Sequence, residues 1–253
     1  IEVLNGGVDS YAPILARLYL SGELSSFDPD LVIFSLDNSD LIQEAAYRSV
    51  AVQDESGAIV AVPGRQAKRS FSLRFRHWIE NNLYMTRLVL FYTNKWMGHK
   101  DLSVEGVVSR ANAETVAHTL VGDQLDRRQQ WSDIFNSIAR MDQFASDQSF
   151  DFVLAVYPWP HQVSDDLWNP GRRTFLDEND VAEEAYDDML LAMASEAGIT
   201  AMSAYDAFER YSGPEKLYFD NDMHFTVHGH ELMSSELARW LDENGYVEHW
   251  CAN

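Results

Sequence analysis

Residues 28–40, "DPDLVIFSLDNSD", indicate the fold class more clearly than any other stretch of the chain. The run from Leu31 to Leu36 is apolar on both faces of an extended backbone. A strand with one face in solvent would alternate apolar and polar residues, so this run predicts a strand buried within a parallel sheet. The polar "DNSD" that follows predicts that the strand ends there and leads into a loop.

Strand-like and helix-like stretches alternate along much of the chain. Ser10 is the predicted N-cap of the first helix, and Asp180 with Glu183 has the spacing of a capping box. This alternation predicts an α/β fold with a mostly parallel sheet. Besides 31–36, strands are predicted at 1–4, 150–157 and 198–204, and helices at 11–20, 124–145, 180–197 and 229–243.

The 253 residues, 46% of them hydrophobic, suffice for one domain with a full core. Residues 45–122 depart from the alternation, and we interpret them as a mainly helical insertion in a single domain spanning 1–253. The insertion holds a basic segment, "RQAKRSFSLRFRHW" (65–78). Its charges either face an anionic substrate or pair with the abundant carboxylates.

The composition excludes several kinds of partner. The chain has 40 acidic and 19 basic residues and a formal net charge of −21, which repels nucleic-acid phosphates and anionic lipid surfaces. No apolar run reaches the roughly 18 residues of a membrane span. The single cysteine, Cys251, excludes an intrachain disulfide and leaves the compartment open, with a periplasmic or secreted location favoured. The oligomeric state is not predicted.

Polar loops leave the carboxyl ends of the predicted strands, where open parallel sheets bind their ligands. These loops are "NGGVDS", "DNSD", "YPWPHQ" and "SAYDAF". In the third loop, Trp159 and His161 are candidate contacts for a sugar substrate. The alternative is that the two prolines stiffen the strand exit and that Trp159 covers the core.

A further loop, "YFDNDMHFTVHGHEL" (218–232), precedes the last helix and contains three histidines. His224, His228 and His230, with Asp222 nearby, have a spacing that can bind zinc when two histidines share a helical face. The alternative is that His228 and His230 begin the helix and only His224 is functional. Both interpretations stay open from the residues alone.

The order of these motifs resembles the SGNH (GDSL-like) hydrolase superfamily. The resemblance rests on "IEVLNGGVDSYAPILARL", then "DPDLVIFSLDNSD", then "DMHFTVHGHELMSSELARWL". It implies a three-layer α/β/α sandwich and a bacterial serine esterase or O-acyltransferase that acts on esters, plausibly O-acetyl groups of carbohydrates. The mechanism needs no metal or organic cofactor, and the implied partner is a small-molecule or polysaccharide ester.

The resemblance also assigns roles to individual residues. His224 becomes the general base and Asp222 the acid that orients it, with Asp220 as the fallback because Asn221 stands at the commoner position of the acid. Ser10, Asn38 and Ser39 fall where the family has its oxyanion-binding groups. Asn5 and Asp40 are expected to shape the site.

The chain departs from the family because no Gly-Asp-Ser block is present before "IEVL". The family's first central strand and its nucleophilic serine are therefore expected upstream of Ile1. This departure leaves a second hypothesis open, namely a non-catalytic relative that binds glycans.

Overall fold

The computed structural model describes residues 1–63, 114–121, 127–183 and 185–247. The chain divides into two compact units, one formed by Ile1–Ser49 with Asn112–Asn253 and one by Val50–Ala111. Residues 64–113, which hold most of the predicted insertion and its basic segment, lie outside the described part, as does Cys251.

Strands and helices alternate in the described chain, as the sequence predicts. The strands are β1 (Leu31–Leu36), β2 (Val52–Gln53), β3 (Ile59–Ala61), β4 (Asp151–Val156) and β5 (Ala201–Ser203). The helices are α1 (Pro13–Gly22), α2 (Ser39–Arg48), α3 (Arg127–Gln148), α4 (Pro160–Val163), α5 (Tyr186–Glu196), α6 (Tyr205–Glu209) and α7 (Val227–Glu243).

The larger unit is built on a parallel sheet with the strand order β1-β4-β5. β4 is the central strand, and its register pairs Leu31 with Asp151 and Leu154 with Ala201. The predicted strand at 31–36 is confirmed at both ends, and those at 150–157 and 198–204 are confirmed with shorter limits. The chain is therefore α/β, with a parallel sheet in this unit.

Side chains on the two faces of the sheet belong to two separate core clusters. Phe34 and Leu154 lie in the first cluster, which also contains residues of α1, α3 and α5. Ile33 and Ala155 lie in the second cluster, with residues of α6 and α7. Because neighbouring residues of a strand point to opposite faces, a strand covered on both faces needs the continuous apolar run seen in β1.

The predicted strand at 1–4 does not form. Ile1 and Val3 are 88% and 85% exposed, and the segment has no regular secondary structure. Among the described strands none pairs with it, and an extended segment without a neighbouring strand lacks the hydrogen bonds that define a sheet. Strand propensity alone is therefore an insufficient guide for these residues.

Two predicted helix caps are also wrong. The N-cap of α1 is Ala12, because Ser10 takes a left-handed backbone conformation with φ of 62° in the turn before the helix. α5 begins at Tyr186 instead of at Asp180, whose carboxylate accepts a hydrogen bond from the Asp177 amide at 2.8 Å and closes a separate turn.

The last helix begins two residues earlier than predicted and is capped by a threonine. The Thr226 hydroxyl accepts a hydrogen bond from the Gly229 amide at 3.3 Å. His228 and His230 lie in the first turn of α7 as expected, and both are exposed. A carboxylate, amide or hydroxyl oxygen at the N-cap accepts a hydrogen bond from a backbone amide of the first turn, and Thr226 provides such an oxygen. The imidazole of a histidine is a rarer cap.

The described part of the second unit is an antiparallel hairpin of β2 and β3. Asp54 organises its turn, because its Oδ1 atom accepts hydrogen bonds from the amides of Ser56 and Ala58 at 2.9 and 3.0 Å. Gly57 supplies the positive φ of 81° that the turn needs. In the described chain as a whole, every helix is too short or too polar to cross a membrane.

Candidate active site

The loops that follow β1 and β4 are joined by hydrogen bonds at the carboxyl end of the sheet. The Tyr157 hydroxyl, just after β4, donates to Asp37 Oδ2 at 2.9 Å, and Asp37 follows β1 directly. The Asn38 amide donates to Gln162 Oε1 at 2.5 Å. Two contacts between residues more than 100 positions apart thus brace this edge.

The loop that carries His224 is anchored on the same edge by the residues on either side of it. The Phe225 ring packs 5.3 Å from the Tyr157 ring, between centroids. Met223 packs against the buried cluster that contains Trp159 and Trp168. His224 therefore lies between the exit of β4 and this aromatic cluster.

Backbone contacts close the loop into a tight turn. Tyr218 and Phe225 form an antiparallel bridge, and the Phe219 amide donates to the His224 carbonyl at 3.2 Å. The Tyr218 hydroxyl donates to the Pro158 carbonyl at 2.8 Å, which ties the base of the turn to the exit of β4. The turn is thus a fixed platform for the residues at its tip.

Asp222 and His224 form a hydrogen-bonded pair at the tip of this turn. Asp222 Oδ1 accepts from the His224 amide at 2.9 Å and also bonds to His224 Nδ1. Because a carboxylate is an acceptor, Nδ1 carries the proton of the neutral ring, and in that tautomer Nε2 has the lone pair. The side chains of His224 and Asp222 are 76% and 51% exposed, so the pair lies at the surface of the protein.

Asp220, the fallback for the acid, has another partner. Its Oδ1 atom forms an ion pair with Lys216 Nζ at 2.6 Å. Its backbone carbonyl accepts a hydrogen bond from the Gly171 amide at 2.9 Å, which docks the 3₁₀ helix Gly171–Thr174 onto the turn. The geometry therefore pairs His224 with Asp222.

The three histidines of the loop have separate environments. His228 Nδ1 bonds to Glu231 Oε2 at 3.0 Å, one turn further along α7. The His230 ring contacts the Phe225 ring edge-on at 5.5 Å. No group of three potential metal ligands occurs among the described residues, which include all three histidines. The zinc alternative consequently has no geometric support in this loop.

The predicted oxyanion residues after β1 are already hydrogen-bonded, Ser39 to the carboxylate of Asp37 and Asn38 to the side chain of Gln162. The Ser39 amide and hydroxyl both donate to Asp37 Oδ1, each at 2.6 Å. Asn38 is buried, and its amide is bonded to Gln162. Asp37 thus closes a turn directly before α2, and an Asp two residues before a Ser at a strand end is the pattern that could have revealed it.

Asp40 also shapes this edge from a buried position. Its Oδ2 atom accepts a hydrogen bond from the Asp37 amide at 2.9 Å. Burial, followed by the charge of Asp37, raises the pKa of Asp40 well above its usual range. Protonation of Asp40 relieves repulsion between two neighbouring carboxyl groups on this turn.

Ser10 and Asn5 have their described contacts elsewhere. The Ser10 carbonyl accepts a hydrogen bond from the Tyr47 hydroxyl at 2.9 Å, and Tyr47 lies in the last turn of α2. The first turn of that helix, with Ser39, is about 12 Å away along the axis. The Asn5 side chain accepts locally from the Gly7 amide at 2.9 Å. The structure thus does not show Ser10 and Ser39 together.

Trp159 and His161 lie in the interior, with 4% and 3% of their surface exposed. Trp159 therefore covers the core, as the alternative interpretation holds, and presents no open face on which a sugar could stack. Its ring meets the His161 ring edge-on at 6.2 Å. Burial, followed by the charge of Arg172, lowers the pKa of His161 to about 3, so the imidazole is neutral near pH 7.

A groove of about 390 Å³ lies at the opposite end of the sheet. None of the predicted site residues lines this groove, so we do not assign the catalytic site to it. The residues that line it are Leu191, Ser195, Gly198, Ile199, Thr200 and Ala201.

Comparison with protein-family models, with curated proteins and with solved structures found no match to this chain. The function is accordingly inferred from the Asp222–His224 geometry and from the order of the sequence motifs.

Proposed function

We propose that this protein is an SGNH-like ester hydrolase or O-acyltransferase in which His224 is the general base and Asp222 orients it. The observation that carries the proposal is the double hydrogen bond from Asp222 Oδ1 to the backbone and ring of His224. The substrate class is an ester, with O-acetyl groups of a carbohydrate as the favoured example. The proposed fold is the three-layer α/β/α sandwich, which agrees with the core clusters on both faces of the sheet.

The paired side chains supply the proton transfers of acyl transfer. Nε2 of His224 accepts the proton of an attacking hydroxyl and later returns it to the leaving group. Asp222 holds the ring in the required tautomer and stabilises the imidazolium that forms. Since the His224 side chain is exposed, the acceptor can be water or the hydroxyl of a second substrate.

The proposed nucleophile is a serine whose hydroxyl approaches His224 Nε2. Ser39 already donates its hydroxyl proton to Asp37, and we assign it a bracing role. A fluorophosphonate probe that labels activated serines, followed by peptide mapping, identifies the nucleophile. Labelling should occur at a serine other than Ser39 and be lost in His224→Ala. Labelling of Ser39 itself would contradict the bracing role.

Kinetics with an aryl acetate and with an acetylated oligosaccharide test the general base. His224→Ala is expected to lower kcat by about 10³-fold or more, and Asp222→Asn by about 10²- to 10⁴-fold, with the KM little changed. His228→Ala is the matched control, because His228 is exposed on the same loop and bonded to a carboxylate of its own. Unchanged turnover in His224→Ala would refute the proposal.

The occupied donors of Ser39 favour one second candidate, a glycan-binding relative without turnover. Losing an oxyanion donor lowers the catalytic rate by about 10²–10³-fold. A protein that only binds its ligand has no such rate to lose. Under this alternative, no serine is labelled by the fluorophosphonate probe and the wild-type protein has no turnover to lose. An enzyme, in contrast, should lose turnover in His224→Ala while keeping its affinity for the ligand.

A further inference from the structure

Phe219 is an exposed aromatic residue in the turn that carries the Asp222–His224 pair. It is 53% exposed and is not a member of the three core clusters. Its ring pairs with no other aromatic ring in the described part of the chain. A single exposed apolar residue is common on protein surfaces, so the position of Phe219 decides whether it has a role.

The hydrogen bonds of the turn place Phe219 opposite His224. Tyr218 and Phe225 form an antiparallel bridge, and the next bond towards the tip runs from the Phe219 amide to the His224 carbonyl at 3.2 Å. Residues opposite each other in an antiparallel pair point to the same face and have Cβ atoms about 5 Å apart. Phe219 and His224 therefore extend side by side from the turn.

The face that Phe219 and His224 share is the outer one. Successive residues of an extended segment point to opposite faces, so the preceding pair points the other way. Tyr218 is 3% exposed, and its ring lies 5.2 Å from the Phe225 ring between centroids, which marks the inner face. Both Phe219 and His224 are more than half exposed, so a ligand can reach the two side chains together from solvent.

The backbone on either side of Phe219 is anchored to other parts of the fold. The Tyr218 hydroxyl donates to the Pro158 carbonyl at 2.8 Å. The Asp220 carbonyl accepts from the Gly171 amide at 2.9 Å. A contact residue whose backbone is already fixed loses little conformational entropy when a ligand binds, which favours Phe219 as a preformed contact.

The side chains next to Phe219 in the turn are polar. Asn221 and Asp222 are exposed, and the Asn221 side chain has no hydrogen-bond partner among the described residues. A lipid acyl chain needs a continuous apolar surface to leave water, which one ring among polar groups does not provide. A sugar ring has an apolar face of C–H groups and a rim of hydroxyl groups, so it matches an aromatic ring bordered by hydrogen-bonding side chains.

We infer that Phe219 is the residue on which a sugar ring of the substrate stacks, with the ester of that sugar at His224. The π face of the phenyl ring carries partial negative charge and attracts the C–H groups of the sugar. Phe219 thus takes the role of sugar platform that the buried Trp159 is unable to fill. In naming the carrier of the ester, the inference rests on the proposed function.

Titration calorimetry in the His224→Ala protein measures this contact without turnover. The probes are an acetylated xylo-oligosaccharide for the sugar and octanoate for an acyl chain. The oligosaccharide should bind, and octanoate should bind at least tenfold more weakly. Adding Phe219→Ala should weaken the binding of the oligosaccharide about tenfold, because the stacking surface is gone.

Two conservative variants separate stacking from simple apolar contact. Phe219→Leu keeps an apolar side chain without a flat π face, and it should weaken binding as much as Phe219→Ala does. Phe219→Tyr keeps the ring and should hold the affinity within about twofold of the parent protein.

Phe27→Ala is the matched control for the loss of an exposed phenyl ring. Phe27 is 60% exposed and ends the 3₁₀ helix Leu24–Phe27, outside this turn. Its replacement should leave the affinity for the oligosaccharide unchanged. The Tm should stay close to that of the parent protein in both alanine variants, because substitutions of exposed side chains change stability little.

Four results would overturn the inference. They are no binding of the oligosaccharide up to about 10 mM, equal or tighter binding of octanoate, an unchanged affinity in Phe219→Ala, and full affinity in Phe219→Leu. Turnover of an aryl acetate without sugar binding that depends on Phe219 would leave the proposed function standing and remove this contact. Sugar binding that depends on Phe219, without any turnover in the wild-type protein, would do the reverse.

Discussion

Burial of neutral His161 should make the stability of this protein depend on pH in a way that one substitution can isolate. The pKa of His161 is lowered from 6.5 to about 3, mainly by burial and then by Arg172. The unfolded chain therefore takes up a proton before the folded protein does. The free energy of unfolding falls as pH drops below about 6.5, by about 2 kcal/mol between pH 8 and pH 5, and stops falling near pH 3.

Two buried carboxyl groups act in the opposite direction. Burial raises the pKa of Glu44, and more strongly that of Asp40, so the folded protein binds their protons first. Their effect is a gain in stability as pH falls through those raised values, which partly hides the loss due to His161. The pH dependence of the wild-type stability therefore does not by itself isolate the contribution of His161.

The measurement is a set of urea unfolding curves at pH 8, 7, 6 and 5 for the wild type and His161→Gln. Glutamine keeps an N–H that can donate to Thr119 but does not titrate. The stability difference between the two proteins should change by about 2 kcal/mol in favour of the variant from pH 8 to pH 5. Trp159→Phe, from the same cluster, should differ from the wild type by an amount that is constant with pH. Parallel curves for the wild type and His161→Gln would refute burial of a neutral imidazole.

Two further predictions concern the scaffold. Gly229→Ala should lower stability by about 1–3 kcal/mol, because a Cβ atom there would lie 2.2 Å from the Leu217 carbonyl oxygen. Gly22→Ala, with no atom within 4 Å of the new Cβ, is the control, and equal melting temperatures for the two variants would contradict the argument. Glu44→Ala should cost about 2–4 kcal/mol in urea unfolding, because it leaves three donors, among them Arg48, without their buried acceptor. A loss below about 1 kcal/mol would show that this network is dispensable.

Features that depend on neighbours a few residues apart were predictable from the sequence. The apolar run of β1 predicted the strand with its correct limits, since the pattern is a property of the strand itself, although β1 is only half-buried along most of its length. The pairing of Asp222 with His224 also follows from short range, because a carboxylate two residues before a histidine can reach both its amide and its ring.

Features that join distant segments were decided by the tertiary structure. The bond between Asp37 and Tyr157 spans 120 positions, and that between Thr119 and His161 spans 42. No local pattern at Trp168 indicates that its ring would lie 6.1 Å from the buried ring of His161. In the same way, the β-prone residues 1–4 form no strand, because pairing requires a neighbour that local propensity cannot supply. Local conformation follows from the chain's own short-range contacts, whereas burial and its effect on protonation depend on which distant groups the fold brings together.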